Sequence, residues 1–193
     1  FRQTFGGIHK HYGVNPDMAI FGKALGNGYA INAIIGKEKI MRNAEKTFIS
    51  STFWTERIGP TAALKTLDIM EKNQTWKIIS NKGKKFKKNL AKIANKNRIK
   101  ISIQGLDAMP KFDFEHTDRE IFTTFLSQEM LKKKILATNT LYFCINHDEK
   151  IMMKYYDCLD EVFFKINKSI NQNSLSKNLL EGPIKTSGLR YRP

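Results

Sequence analysis

Cysteine is scarce in this sequence of 193 residues, and several other marks of common protein classes are absent. Cys144 and Cys158 are the only cysteines and lie in apolar settings. Because no CxxC spacing exists, neither a zinc knuckle nor a disulfide framework is predicted, and we expect a reducing, cytoplasmic compartment. No run approaches the ~18 uninterrupted apolar residues of a membrane helix. The opening stretch, FRQTFGGIHK, lacks the charged-then-apolar layout of an export signal.

Acidic residues are also few: 18 Asp and Glu stand against 33 Lys and Arg, a formal net charge of +15. Such a surplus raises the hypothesis of a basic nucleic-acid-binding module, because lysine and arginine neutralise phosphates. The densest stretch, NKGKKFKKNLAKIANKNRIK at 81–100, holds nine basic residues and no acid. Its apolar residues recur at helical spacing, which places the lysines on the opposite face. We therefore prefer a solvated helix face and expect no nucleic acid or membrane partner.

Histidine is scarce as well, and no histidine cluster indicates a metal site. His9 and His11 could form a pair of metal ligands on a strand, but two ligands make a weak site, so we expect exposed imidazoles and no metal. His147 is expected to be a satisfied or surface histidine rather than a catalytic one. Asp17, which follows a proline, is expected to be a turn or strand-entry residue.

The periodicity of the first half predicts two short strands followed by two helices. The strands are MAIF at 18–21, expected to be buried, and AINAIIG at 30–36. The helices are IGPTAALKTLDIMEK at 58–72, with its proline in the first turn, and the lysine-rich helix at about 75–97.

The second half predicts an α+β unit. Its expected elements are strands at 99–105 and 108–115, a helix at 118–134, a strand pair or bent strand at 135–146, and an amphipathic helix at 149–170. The tail at 171–193 is polar and is expected to be loosely ordered.

One lysine, Lys23, stands between an apolar strand and a run of glycines in AIFGKALGNGYAI at 19–31. A phosphate-binding loop needs Ser or Thr after the lysine, and Ala24 follows here. A dinucleotide-binding GxGxxG is absent, because Gly26-Asn27-Gly28 continues into Tyr29. Two interpretations remain: a strand-end charge that reaches water, or an amine that forms a Schiff base with an aldehyde cofactor.

The longer segment VNPDMAIFGKALGNGYAINAIIGKEKIM at 14–41 resembles the pyridoxal 5'-phosphate (PLP) lysine segment of class III aminotransferases. Within that family it is most similar to the glutamate-1-semialdehyde 2,1-aminomutase branch. The shared pattern is Pro-Asp, a short apolar strand, Gly-Lys, a glycine-rich turn, a second strand and an Ile-Met helix start. The resemblance implies that Lys23 binds PLP as a Schiff base and moves protons in an aminotransferase or aminomutase.

Two further stretches extend the resemblance. Ser51 and Thr52 lie where the family has a threonine that holds the cofactor phosphate of the neighbouring subunit, which implies a homodimer with shared sites. The segment at 128–163 resembles the family's small C-terminal domain. The implied fold is α/β: residues 1–72 end a PLP-binding large domain with a mixed or parallel sheet, 73–100 form a connecting helix, and 101–170 form a small α+β domain.

The sequence departs from the family pattern in two places. Relatives continue after the phosphate threonine with Ser-Gly-Asn-Pro, whereas Trp54-Thr55-Glu56-Arg57 stands here, so Glu56 and Arg57 could face a different substrate group or pair with each other. The aspartate that pairs with the pyridinium nitrogen in relatives would precede Phe1. We therefore expect this chain to be the C-terminal half of a longer enzyme, inactive alone, that acts on a small amino or oxo substrate.

Overall fold

The computed structural model describes residues 2–172 and 176–186. Its contacts divide the chain into two compact units, Phe1–Ile79 and Ser80–Pro193. The strands are β1 (Met18–Phe21), β2 (Ala33–Gly36), β3 (Ile101–Leu106) and β4 (Met109–Phe114). The α-helices are α1 (Glu38–Met41), α2 (Ile58–Asn73), α3 (Thr75–Lys96), α4 (Arg119–Lys132) and α5 (Glu149–Asn171). Short 3-10 turns lie at Ile8–Lys10, Lys23–Leu25, Arg42–Lys46 and Ser176–Leu179.

In the first unit, β1 pairs with β2 in antiparallel register, from Met18 opposite Gly36 to Phe21 opposite Ala33. Both strands and the helix α2 were predicted, although β2 begins at Ala33 and not at residue 30. The expected burial of β1 is wrong. Met18 is 47% exposed and Ile20 is 73% exposed. The physical reason is that a ribbon of two strands has little surface against which to bury its apolar side chains.

The second unit has an aromatic core. The antiparallel hairpin of β3 and β4 packs against α4, and α4 packs against α5. The ring of Phe114 lies 5.7 Å from Phe112, 5.7 Å from Phe122 and 5.5 Å from Phe163, measured between centroids. Because each fully buried phenylalanine contributes about 1.5–3 kcal/mol, this cluster is a main source of the unit's stability.

The amphipathic faces predicted for the helices of this unit are confirmed. The helix α3 buries Phe86, Leu90 and Ala94. On α4 the residues Ile121, Phe122, Phe125, Leu126 and Met130 are buried. On α5 the buried side includes Leu159, Val162, Phe163 and Ile166. The helix α5 begins after Asp148, whose carboxylate accepts the backbone N–H of Ile151 at 2.8 Å.

The strand pair or bent strand predicted at 135–146 is wrong as a regular element. The segment instead runs beside β4 with irregular bonds: Phe112 N–H donates to the Asn139 carbonyl at 2.9 Å, and Leu141 N–H donates to the Pro110 carbonyl at 3.0 Å. Only an isolated bridge, between Lys111 and Thr140, has strand geometry. Pro110 has no N–H to complete a ladder of backbone hydrogen bonds. The Phe112 carbonyl accepts a hydrogen bond from the Asn139 side-chain amide instead of from a backbone N–H.

The tail at 171–193 was expected to be loosely ordered, and this is wrong for residues 176–186, which lie along α4. Gln128 Nε2 donates to the Leu179 carbonyl at 3.2 Å, and Gln128 Oε1 accepts the Glu181 N–H at 2.9 Å. Residues 173–175 and 187–193 fall outside the described part of the chain.

On α4, burial alone would raise the pKa of Glu129, but hydrogen bonds from Lys132 and Lys165 lower it to about 2.

The lysine-rich face of α3 is partly solvated, as predicted, but several of its lysines make specific bonds. Lys82 Nζ donates to the carbonyls of Ile145 at 2.6 Å and His147 at 2.7 Å. Lys87 Nζ donates to the Asp107 carboxylate at 2.9 Å. Lysine on this helix therefore ties it to the β3–β4 turn and to the segment before α5.

Gly83 allows α3 to approach the β3–β4 turn, because a Cβ built there would lie 1.6 Å from the Asp107 carbonyl oxygen. We predict that Gly83→Ala lowers the free energy of unfolding by about 2 kcal/mol or more, since a backbone atom cannot move aside as a side chain can. Urea unfolding followed by circular dichroism measures this change. Gly182→Ala is the control, because a Cβ there meets nothing within 4 Å, and equal stabilities of the two variants would contradict the prediction.

Candidate functional site

Lys23 lies where β1 ends, as the first residue of the 3-10 turn Lys23–Leu25. Its side chain is exposed, and its backbone has a φ of +47°, in the left-handed region that lysine seldom adopts. Such a conformation costs about 1–2 kcal/mol and persists only where the surroundings hold it. Leu25, 7% exposed, anchors the turn. The backbone of Lys23 is thus held in a strained conformation at the end of a strand.

Glycines make the close contacts that hold this turn. A Cβ on Gly22 would lie 2.3 Å from Asn32 Oδ1, and a Cβ on Gly26 would lie 2.2 Å from the Tyr29 carbonyl oxygen. Asn27 has a φ of +48°, so the left-handed conformation that an asparagine tolerates is used at this position. Asn27 N–H donates to the Lys23 carbonyl at 3.2 Å and closes the turn.

The start of α2 packs on the chain that follows this turn. A Cβ on Gly59 would lie 2.6 Å from the Ala30 carbonyl oxygen. The Glu56 carboxylate accepts the N–H of Ile58 at 2.6 Å and of Gly59 at 2.9 Å. Glu56 therefore caps α2, a role that we did not predict and that an acidic residue just before a helix start could have signalled. Of the two alternatives for Glu56 and Arg57, pairing with each other is not found among the described residues.

Ser51 and Thr52 lie in an exposed turn before α2. The Ser51 hydroxyl accepts the Phe53 N–H at 3.2 Å. Within the described part of the chain, no hydrogen bond joins either residue to Lys23. The turn is flanked by exposed apolar side chains, with Phe48 at 94% exposure and Trp54 at 66%. The structure thus presents the two hydroxyls on an apolar surface and does not join them to the lysine.

The remaining candidate residues are Asp17, His9, His11 and His147. Asp17 accepts a hydrogen bond from Lys37 Nζ at 2.7 Å at the entry to β1, as expected for a strand-entry residue. Over residues 2–172 and 176–186, no group of three or more potential metal-ligating side chains is found near His9, His11 or elsewhere. His147 Nδ1 is buried and has no hydrogen-bond partner among the described residues, and burial and the nearby Lys82 lower the pKa of His147.

The lysine segment lies within the region that identifies the protein family. Residues 4–151 match the family model of the class III aminotransferases. This chain belongs to the class III aminotransferase family. The resemblance that the lysine segment indicated is therefore confirmed.

Relatives of the chain include both activities that the resemblance implied. The chain is 29% identical over 176 residues to the 3-aminobutyryl-CoA aminotransferase of Cloacimonas acidaminovorans (strain Evry), which covers 88% of this chain. It is 26% identical over 182 residues to the glutamate-1-semialdehyde 2,1-aminomutase of Natranaerobius thermophilus, which covers 86%. The chain spans about two-fifths of the length of these curated relatives, 42% of each.

Solved structures confirm the predicted α/β fold. The PLP internal aldimine form of the FumI protein of Sphingopyxis sp. MTA144 aligns with a TM-score of 0.78 at 20% identity, over 89% of this chain and 42% of that one. A transaminase with PLP bound aligns with a TM-score of 0.77 at 12% identity, over 88% and 43%. Among the residues that the structure describes, no helix of this class III aminotransferase is long and apolar enough to cross a membrane.

We predict that Glu56→Ala frays the start of α2 and lowers the free energy of unfolding by about 1 kcal/mol, because two backbone N–H groups lose their acceptor. Hydrogen exchange at the amides of Ile58 and Gly59 should become faster. Glu71→Ala, at an exposed position of the same helix, is the control and should change stability by less than about 0.5 kcal/mol. Unchanged exchange at both amides in Glu56→Ala would show that the cap contributes nothing.

Proposed function

We propose that this chain supplies the cofactor lysine and part of the phosphate site of a PLP-dependent enzyme that moves an amino group. The observation that carries the proposal is the exposed amine of Lys23, held on a strained turn inside the segment that matches the family. Among the residues that the structure describes, this amine has no hydrogen bond or ion pair. An amine that is accessible and fixed in place is what carbonyl chemistry needs.

The surroundings of Lys23 fit such a cofactor. Gly22 and Gly26 have no side chains, which allows the backbone of the turn to pack closely and leaves room for a cofactor. The hydroxyls of Ser51 and Thr52 are exposed and are suited to donate hydrogen bonds to a phosphate. When bound, PLP supplies an electron sink for a carbanion. Lys23 Nζ would hold the cofactor by its aldehyde carbon. As a free amine, it would remove and return a proton at the reacting carbon of the substrate.

The substrate proposed is a small amino or oxo compound. Relatives that pass an amine between two molecules and relatives named as aminomutases are both similar to this chain, so the proposal covers transfer and mutase outcomes. In the enzyme as a whole, residues 1–72 would end the large domain, and residues 101–170 would form the small domain. Residues 73–100 would form the helix that connects the two domains. The free thiols of Cys144 and Cys158 support a reducing, cytoplasmic compartment.

We propose further that the enzyme is a homodimer in which Thr52 serves the cofactor of the partner subunit. The support is the apolar surface around this turn, where Phe48, Ile49, Phe53 and Trp54 are each more than half exposed. Exposed apolar patches of this kind mark surfaces that other protein surfaces cover. A phosphate-binding turn on such a surface is suited to a site shared between subunits.

We predict that the full enzyme has a visible imine absorbance that borohydride fixes onto Lys23. Lys23→Ala should lose this absorbance and lower the rate of amino transfer by at least about 10³-fold, because the proton-moving amine is removed. Absorbance spectra and peptide mass spectrometry after reduction measure both effects. Lys39→Ala, an exposed lysine of α1, is the control and should keep the band. Persistence of the band in Lys23→Ala would refute the assignment of the lysine.

The shared site makes a second prediction, for mixtures of two inactive variants. Lys23→Ala and Thr52→Ala should each have little activity alone, and their mixture should regain activity after subunit exchange. A hybrid dimer contains one site with both Lys23 and Thr52 intact and one site with neither. Steady-state rates before and after exchange measure the effect. A mixture no more active than its components would place Lys23 and Thr52 in the same subunit's site.

A further inference from the structure

The second unit contains an open cleft of about 690 Å³. One side is formed by residues of the β3–β4 hairpin, and the other by the first turns of α4 and by Lys185, from the segment that lies along this helix. The volume of the cleft lies within the range of pockets that bind small molecules, about 300–1,000 Å³. All of its lining residues belong to the same compact unit, so the cleft is a feature of that unit alone.

Lys185 is fixed in this cleft through both its backbone and its side chain. Its backbone N–H donates to Thr124 Oγ1 at 3.2 Å, and its Nζ donates to Ser127 Oγ at 3.1 Å. Because Thr124 and Ser127 are three residues apart on α4, they lie on the same face of the helix, and the lysine side chain runs along that face. The residue is half-buried and reaches solvent at the cleft. Its amine is therefore held in place and still accessible.

The ammonium group of Lys185 has no carboxylate partner among the described residues. Glu115 and Glu120 line the cleft but are exposed and form no ion pair with it. Asp113, the third acid of the lining, is bonded to Lys111 Nζ at 2.9 Å. Because burial disfavours the charged form and no carboxylate compensates, the pKa of Lys185 is lowered. A larger share of this amine is therefore uncharged near neutral pH than at a fully exposed position.

The same cleft contains groups that can hold an anion. Arg119, the first residue of α4, lines the cleft, and its guanidinium makes no ion pair within the part of the chain that the structure describes. His116 lines the cleft as well, and its Nδ1 accepts the Asp118 N–H at 3.0 Å, which leaves Nε2 of the neutral ring as an N–H donor. A guanidinium and an imidazole N–H are donors that suit the oxygens of a phosphate group.

We propose that Lys185 is a site of covalent acylation by small acyl phosphates. The phosphate group lies against Arg119 and His116, and the acyl carbonyl lies at the lysine. The uncharged Nζ attacks the carbonyl carbon, an N–C bond forms, and the bond from that carbon to the phosphate oxygen breaks. Inorganic phosphate leaves with the electron pair and takes the proton of the amine. The product is a neutral amide, so acylation removes one positive charge from the cleft.

This site is independent of the proposed chemistry of Lys23, because none of the residues at 19–31 or 51–57 lines the cleft. The co-reactant carries its own leaving group, so the step needs neither PLP nor a second subunit. Failure of the acylation proposal and failure of the PLP assignment therefore remain distinguishable.

The test incubates the whole protein with acetyl phosphate and measures acetylation at each lysine by peptide mass spectrometry. We expect Lys185 to react at least about 3-fold faster than Lys150, because a larger share of free amine outweighs the lower nucleophilicity that accompanies a lower pKa. Lys150 is exposed and makes no ion pair with the described residues, so it is the reference. In urea that unfolds the protein, the two rates should become equal. Equal rates in the folded protein, or a preference that persists in urea, would overturn the proposal.

Arg119→Gln tests anion recognition separately from the reactivity of the amine. Because the guanidinium attracts only a charged reagent, this variant should lower acetylation of Lys185 by acetyl phosphate about 3-fold or more and leave acetylation by uncharged N-hydroxysuccinimidyl acetate unchanged. Arg98→Gln, at an exposed position that does not line the cleft, is the control and should change neither rate. Circular dichroism checks that both variants fold. An equal loss with both reagents, or no loss with acetyl phosphate, would refute anion recognition by Arg119.

Discussion

Close approach between backbone segments, possible only where no Cβ intervenes, determines the geometry around Lys23. Gly26 lies against the Tyr29 carbonyl, and Gly59 lies against the Ala30 carbonyl on the same loop. These contacts hold the turn after β1 tightly enough to keep Lys23 in a left-handed conformation that the residue would otherwise avoid. Because Glu56 caps the first turn of α2, the helix that carries Gly59 is itself fixed at its start. The accessible lysine is a product of this packing.

The second unit uses the same constraint to build a different surface. Gly83 brings α3 against the β3–β4 turn, and Lys82 and Lys87 then bond to carbonyl and carboxylate groups that the approach places within reach. The high lysine content of the helix is therefore compatible with a structural role. Electrostatic attraction at exposed pairs is weak, so the aromatic core beneath supplies most of the stability and the lysines set the position of the helix.

Family membership and site geometry support the proposed chemistry together. The family model includes the turn that carries Lys23, and the structure leaves its amine exposed where the strand ends. A reactive amine needs access for a carbonyl, and the exposure of Lys23 provides it.

The sequence by itself determined the helices and the α/β class and singled out Lys23 as the candidate cofactor lysine, because these depend on local periodicity and on one contiguous pattern of residues. The left-handed conformation of Asn27 is likewise one that the residue type tolerates. Only the tertiary structure decided that residues 135–146 pair irregularly, that residues 176–186 pack on α4, and that Glu56 caps α2. Each of these depends on partners distant in sequence or on which acceptor a backbone N–H finds. The buried hydroxyl of Tyr155, which has no partner in the part of the chain that the structure describes, is of the same kind, because a helical stripe does not show whether a buried polar atom has a partner.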